Sequence, residues 1–181
     1  MSFPFDRVLI IGASASGKST LAQRLSDTFS LTLIDLDAVF WRPNWQKPTG
    51  EQFREEVDLL VTSNARWVVA GNYKAVRDLV WPRAQLIVWL DLPFWTTLWR
   101  LTVRTLRRWW HREELFGKGL RESLWSHFKF WSEDSLLYWH FVHFFSRRRA
   151  FEELLRSPEF SEHTVLRIRS PIELDEWLRH F

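Results

Sequence analysis

Short apolar, β-branched runs alternate along this chain with longer stretches of helical spacing. Val8 to Ile11 is an apolar run closed by Gly12, as expected of a strand buried on both faces. Ser19 to Phe29 has helical spacing, with Leu21, Ala22 and Leu25 on one side. Leu31 to Ile34 is a second strand. A Pro-containing loop, WRPNWQKPTG, then leads to a helix near Glu51–Ser63 that Thr49 can cap. Trp67 to Ala70 is a third strand, broken by Gly71-Asn72, and Gln85 to Leu90 a fourth, closed by Asp91 and Pro93. Thr164 to Ile168 is a fifth, followed by Pro171 and a terminal helix to about Arg179. Strands alternating with helices predict an α/β domain, a parallel sheet covered on both faces.

Between the fourth and fifth strands lie more than 70 residues of mostly helical pattern. Trp95, Trp99, Val103, Leu106 and Trp110 share one helix face, and Arg100, Arg104, Arg107, Arg108 and His111 the other. The expectation is that the tryptophans pack inward and the arginines face an anion. After a break at Phe116-Gly117-Lys118-Gly119, helical pattern resumes from about Glu133 to Arg156. The chain is read as one domain, 1–181, with 95–157 as a lid-like helical insertion.

Composition sharpens that insertion. The chain has 181 residues, 13 of them tryptophan, and a formal net charge of +3. Residues 97–150 hold 11 Lys+Arg against 5 Asp+Glu, and the remainder holds 14 against 17. A basic, aromatic sector admits three partners: a membrane surface, a nucleic acid or a phosphorylated small molecule. The longest uncharged stretch there, Ser135 to Ser146, is 12 residues with two histidines, too short to span a bilayer. Zero cysteines exclude a disulfide framework and thiolate chemistry. Asp6 and Arg7 precede only a few apolar residues, so no signal peptide is expected and the cytoplasm is the expected location.

The strongest chemical signal is Gly12-Ala13-Ser14-Ala15-Ser16-Gly17-Lys18-Ser19, followed by Thr20, which matches G-x-x-x-x-G-K-[ST] between a predicted strand and a predicted helix. Glycines permit positive φ and close backbone approach, so successive N–H groups can turn inward onto phosphate oxygens. The helix beginning at Lys18 directs its positive end to the same place. Residues 12–20 are therefore the expected ATP site, with Lys18 on the β/γ-phosphates and Ser19 on Mg²⁺. No N-K-x-D motif marks a GTPase and no LSGGQ-like signature a transporter ATPase. Ile87 to Asp91 resembles an apolar strand ending in a Mg²⁺-associated Asp, but no Glu follows to activate water. A single-domain kinase suits this size better than a motor ATPase.

Ligands of open parallel sheets gather at the carboxyl ends of the strands. Asp35-Leu36-Asp37 ends the second strand, with Trp41 shortly after. Asp37 is the candidate acceptor contact or base, and Asp35 a candidate Mg²⁺ ligand through water. Gly71-Asn72-Tyr73 ends the third strand, so Asn72, Tyr73 and Arg77 join Asp37 and Trp41 as candidate acceptor residues. Arg147-Arg148-Arg149 reads either as a second anion cluster or as the solvated end of a helix. His111, His127, His140 and His143 have no metal spacing and read as structural or surface residues.

The segments GASASGKST, LDAVFWRPNW, WVVAGNY, RDLVWPRA and VWLDLP together resemble the bacterial DNA topology modulation proteins, an adenylate-kinase-like family. The resemblance covers nearly the whole chain. It implies a three-layer phosphate-loop fold with a five-stranded parallel sheet in order 2-3-1-4-5 and an arginine-bearing lid. It places Lys18 and Ser19 on ATP·Mg²⁺ positions, Asp37 on the acidic position after the second strand, and Arg104 and Arg108 in the lid. One departure is Ala70, where many relatives carry Asp before Gly-Asn-Tyr to order Mg²⁺ waters; either Asp35 substitutes from the neighbouring strand or metal binding and catalysis are weak. The expected function is transfer of the γ-phosphoryl group of ATP to a small acceptor such as a nucleotide or nucleoside, with Lys18, Asp37, Arg104 and Arg108 catalytic. The alternative is a nucleotide-binding regulatory protein that contacts nucleic acid through its Trp/Arg sector. A membrane-peripheral protein is the third reading, and the inward tryptophan stripe argues against it.

Overall fold

The computed structural model describes residues 3–111, 114, 115, 118, 120, 121 and 136–180. In chain order its elements are β1 (Arg7–Gly12), α1 (Lys18–Phe29), β2 (Thr32–Asp35), α2 (Leu36–Phe40), α3 (Gly50–Ser63), β3 (Trp67–Ala70) and α4 (Arg77–Val80). They continue with β4 (Leu86–Leu90), α5 (Phe94–His111), a two-residue hairpin of β5 (Glu114–Leu115) and β6 (Leu120–Arg121), α6 (Leu136–Leu155), β7 (Thr164–Ile168) and α7 (Pro171–Leu178). The predicted strands appear within a residue or so of their expected bounds. Helix α2 and the β5–β6 hairpin were not predicted. Of the expected break at 116–119 only Lys118 lies among the described residues, and His127 lies outside them.

Five strands form one parallel sheet in the order β2-β3-β1-β4-β7, the expected 2-3-1-4-5 arrangement. Its strands read as continuous apolar runs because helices cover both faces. Leu9 and Ile11 of β1 enter a core with Phe53, Val57 and Val61 of α3 and Phe151 of α6. Val8 and Ile10 enter the opposite core with Leu21, Ala22 and Leu25 of α1, against which α7 packs Leu174 and Trp177. This is the two-sided alternation of a strand, so one missing residue in β1 would exchange the two cores. Helix α3 begins with a reciprocal cap: Gln52 N–H donates to Thr49 Oγ1 at 3.2 Å, and Thr49 N–H donates to Gln52 Oε1 at 3.1 Å.

Helix α5 corrects the expected orientation of the insertion. Its buried line is Thr97, Leu101 and Thr105, with Arg104 and Arg108 half-buried beside it. Trp95, Trp99 and Trp110 are 73%, 70% and 76% exposed, and Val103 and Leu106 also face solvent. The helical period was right, but the small residues go inward. Their size lets α5 approach α6 closely: Thr97 Oγ1 lies 3.1 Å from Nε2 of the buried His140, and Phe94 stacks on the same ring at 5.4 Å. His140 is thus structural, as read from sequence, and burial followed by the charge of Lys18 holds it below the usual histidine range.

Helix α6 is tied to the sheet by a buried carboxylate. Asp91, just past β4, accepts from Arg148 of α6 at 2.8 Å and from Arg167 of β7 at 2.7 Å. Arg167 also reaches Glu152 at 3.2 Å and lies 4.2 Å above the Trp89 ring. The resemblance of the Asp91 strand end to a Mg²⁺-associated aspartate is therefore corrected: both carboxylate oxygens serve arginines. Asp91→Ala leaves two guanidinium groups without their acid and should lower the unfolding free energy by about 3 kcal/mol, the low end for a broken buried pair since Arg148 is partly exposed. Urea unfolding measures this; a loss below about 1 kcal/mol would mean that the arginines are satisfied elsewhere.

Candidate active site

The site grows from the turn between β1 and α1. Gly12 has φ 151°, Ala15 φ 58° and Gly17 φ 102°, so three residues of the loop occupy left-handed backbone regions. At Gly12 the constraint is steric as well: a Cβ would lie 2.6 Å from the Leu90 carbonyl oxygen and 2.8 Å from Ser16 Oγ. The loop consequently wraps over the end of β4, and α1 starts at Lys18 as expected. Ser16 Oγ is buried and has no hydrogen-bond partner among the described residues.

Lys18 curls over the loop, its Nζ donating to the carbonyl oxygens of Ala13 at 2.9 Å and Gly12 at 3.2 Å. Burial, against the attraction of Asp37, brings the ammonium down to about 8 from its usual 10.5. Arg104 and Arg147 add like charge, and Asp35 adds opposite charge from farther off. The loop thus contains a buried cation whose hydrogen bonds go to neutral oxygens, and an arriving anion would stabilise it.

Asn72, expected at the acceptor, braces the loop: Gly12 N–H donates to its Oδ1 at 3.3 Å and its Nδ2 donates to Gly12 O at 2.5 Å. The register explains the reach, because Ala70 lies beside Ile10 and the chain then turns at Gly71.

The carboxylates come from the strand beyond β3, at the β2–α2 junction. Asp35 Oδ1 accepts from the Asp37 N–H at 3.0 Å, which caps α2, and Asp35 is also hydrogen-bonded to Ser19. Burial raises Asp35 above the usual carboxylate range. Tyr73 donates its hydroxyl to Asp37 Oδ1 at 2.7 Å, leaving Oδ2 for another partner. Phe40 and Phe53 hold the Tyr73 ring at 4.9 and 5.2 Å, and burial then the Asp37 charge raise its phenol well above its usual range. Trp41 is half-buried between Phe40 and Trp45.

Of the expected lid arginines, Arg104 and Arg108 are on the inward side of α5, whereas Arg100, Arg107 and His111 are exposed. Arg104 comes within electrostatic range of Lys18. Arg77 lies 5.2 Å over the Trp81 ring and influences Arg147, whose guanidinium burial and Arg77 push down. Two contributors went unassigned in the sequence. Arg147 lines a cleft with Gly12, Ser14 and His140; its signal was the Arg147–Arg149 run, which gave no indication of which arginine points inward. Lys118 donates to the carbonyl oxygens of Ala38 and Trp41, the latter at 2.8 Å, and joins the segment after α5 to the end of α2. Its signal was the Gly117-Lys118-Gly119 break.

With this geometry in view, similarity to solved structures is informative. A gluconokinase from Sinorhizobium meliloti is 17% identical, with TM-score 0.54, over 99% of this chain and 90% of that one. The shikimate kinase from Acinetobacter baumannii, solved in complex with shikimate, is 14% identical, with TM-score 0.53, over 98% and 91%. A sugar kinase from Janibacter is 17% identical, with TM-score 0.50, over 97% and 94%. The fold is that of small phosphate-loop kinases. No protein-family model and no curated protein matches the chain. The adenylate/shikimate-kinase-like architecture expected from sequence is therefore observed at the level of fold.

Gly12→Ala should abolish nucleotide binding, because its Cβ meets backbone rather than a movable side chain. Gly50→Ala, with open space around the new methyl, should leave it unchanged. Titration with a fluorescent ATP analogue checks both; retained affinity in Gly12→Ala would refute the loop as the site.

Proposed function

We propose that this chain is an ATP-dependent kinase that phosphorylates a small hydroxyl-bearing acceptor. The observation that carries the reading is the buried Lys18 ammonium, hydrogen-bonded to two neutral carbonyls inside a turn built for anions. The unpartnered Ser16 hydroxyl and the positive end of α1 suit the same ligand. Loop residues Gly12 to Thr20 would cradle the phosphate chain, and Arg104 and Arg108 would approach it from α5. Ser19 and Asp35 form a hydroxyl–carboxylate pair fit to hold Mg²⁺, directly and through water. Mg²⁺ would there neutralise charge on the β- and γ-phosphates. Asp35 lies beside Ala70 in the β2–β3 register, so it replaces from one strand over the acid that Ala70 lacks.

On the acceptor side, Tyr73 fixes one oxygen of Asp37, and the other takes the proton of the attacking hydroxyl. The acceptor oxygen forms the new bond to the γ-phosphorus, the β–γ bridge breaks, and ADP leaves. Arg147 places positive charge near Asp37 and Tyr73, with Arg77 within electrostatic range of Arg147, and Trp41 offers an aromatic wall. The resemblance to the DNA topology modulation proteins supports a kinase-type nucleotide site on the same residues. The solved relatives, whose names include a sugar kinase, a gluconokinase and a shikimate kinase, favour a hydroxylated small molecule.

Coupled ADP release over nucleoside monophosphates, nucleosides, sugars and sugar acids tests the reading. Failure of every acceptor in a protein that binds ATP would reject it. With the active acceptor, Asp37→Asn should lower kcat about 10²–10⁴-fold while ATP affinity holds. Lys18→Ala should remove ATP binding or turnover, and an unchanged rate would exclude Lys18 from the phosphate site.

A further inference from the structure

The aromatic stripe of α5 remains without a role in this site. Trp95, Trp99, Val103, Leu106 and Trp110 line its outer face, all more than 40% exposed. From Trp95 to Trp110 the stripe runs about 22 Å along the axis. It continues onto α6, since Phe94 contacts its neighbour Trp95 at 5.1 Å and the exposed Phe141 and Phe145 at 5.6 Å each. Exposed apolar surface this continuous marks an interaction site.

We propose that this face docks on an anionic lipid bilayer. The charges choose the partner. Helix α5 contains no Asp or Glu, and α6 has none before Glu152. Arg100 lies exposed on the flank of the α5 stripe, and Arg149 follows Phe141 and Phe145 at four-residue intervals on α6. An amphipathic helix with aromatic and aliphatic side chains outward and arginines at the margin sits in the headgroup region, the rings among the upper acyl chains and the guanidiniums on lipid phosphates. A second copy of the chain would oppose like charges across the same face. A nucleic acid would supply the negative charge, but Val103, Leu106 and Val142 offer it no stacking surface, and a convex helix is not the groove that single strands occupy. Among the described residues no helix is long and apolar enough to cross a membrane, so attachment is at the surface.

Flotation of the full chain with vesicles of phosphatidylcholine alone, and of phosphatidylcholine mixed with phosphatidylglycerol, tests this. Binding to the mixed vesicles that weakens with salt is expected. Trp95→Ser/Trp99→Ser/Trp110→Ser should reduce it more than about 10-fold, and Arg100→Gln/Arg149→Gln about 10-fold, with ATP affinity unchanged in both. Quenching of wild-type tryptophan fluorescence by brominated lipid is expected too, and it decides the matter should the triple variant fold poorly. No binding and no quenching with anionic vesicles would overturn the proposal. So would a dimer, or an affinity for labelled DNA, that the tryptophan substitutions abolish. None of these readouts requires kinase activity.

Discussion

A buried ammonium ion organises this molecule. Lys18 is enclosed by the first turn after β1, where the backbone carbonyls of Gly12 and Ala13 receive its hydrogen bonds. Enclosing a charge in this way is costly unless further charge is placed around it. Asp35 and Asp37 at the β2–α2 junction supply the opposing charge, whereas Arg104 of α5 and Arg147 of α6 add like charge and push the ammonium further down. An excess of cations around the loop suits an arriving phosphate. The shape of the turn is held independently, by Asn72 on both polar groups of Gly12 and by the absence of any side chain at Gly12 itself. Charge and shape thus converge on one short segment.

Much of this was legible in the sequence because it depends on local rules. A buried parallel strand has to be apolar throughout, and the turn that follows β1 has to contain glycines, so the strands and the loop announced themselves. The contact between Asp37 and Tyr73 follows a related rule: both follow strand carboxyl ends, and sheet order brings adjacent ends together. What stayed hidden was direction. Periodicity in α5 reports that one face differs from the other, and it does not report which face meets the protein. Close contact with α6 selects Thr97, Leu101 and Thr105, where small and medium side chains let the helices approach, and expels the tryptophans. The brace that Asn72 forms stayed hidden for a similar reason. Its position at a strand end was evident, but the loop it braces lies 60 residues away and its amide matches Gly12 only in three dimensions.

In the proposed site, the sheet register decides which carboxylate is available beside the loop. The register pairs Asp35 with Ala70, so an acid absent from β3 has a neighbour in β2 at the same height along the sheet. Asp35 already touches Ser19 and caps α2, which fixes its orientation without recruiting another residue. The same carboxylate therefore sets both the metal side of the proposed site and the position of Asp37 two residues on. This economy is available because β2, and not β4, flanks β3: the strand end after β4 is already committed, with Asp91 serving two arginines that hold α6 in place.

That commitment gives α5 and α6 a mechanical unity. Asp91 fixes α6 to the sheet, and His140, Phe94 and Thr97 fix α5 to α6. Arg104 and Arg108 project from the inner side of the helix whose outer side carries Trp95, Trp99 and Trp110. The opposition of Trp and Arg along one helix, which reads in the sequence as a choice between core and solvent, is in three dimensions a division between an exposed apolar face and an inner side within electrostatic range of Lys18.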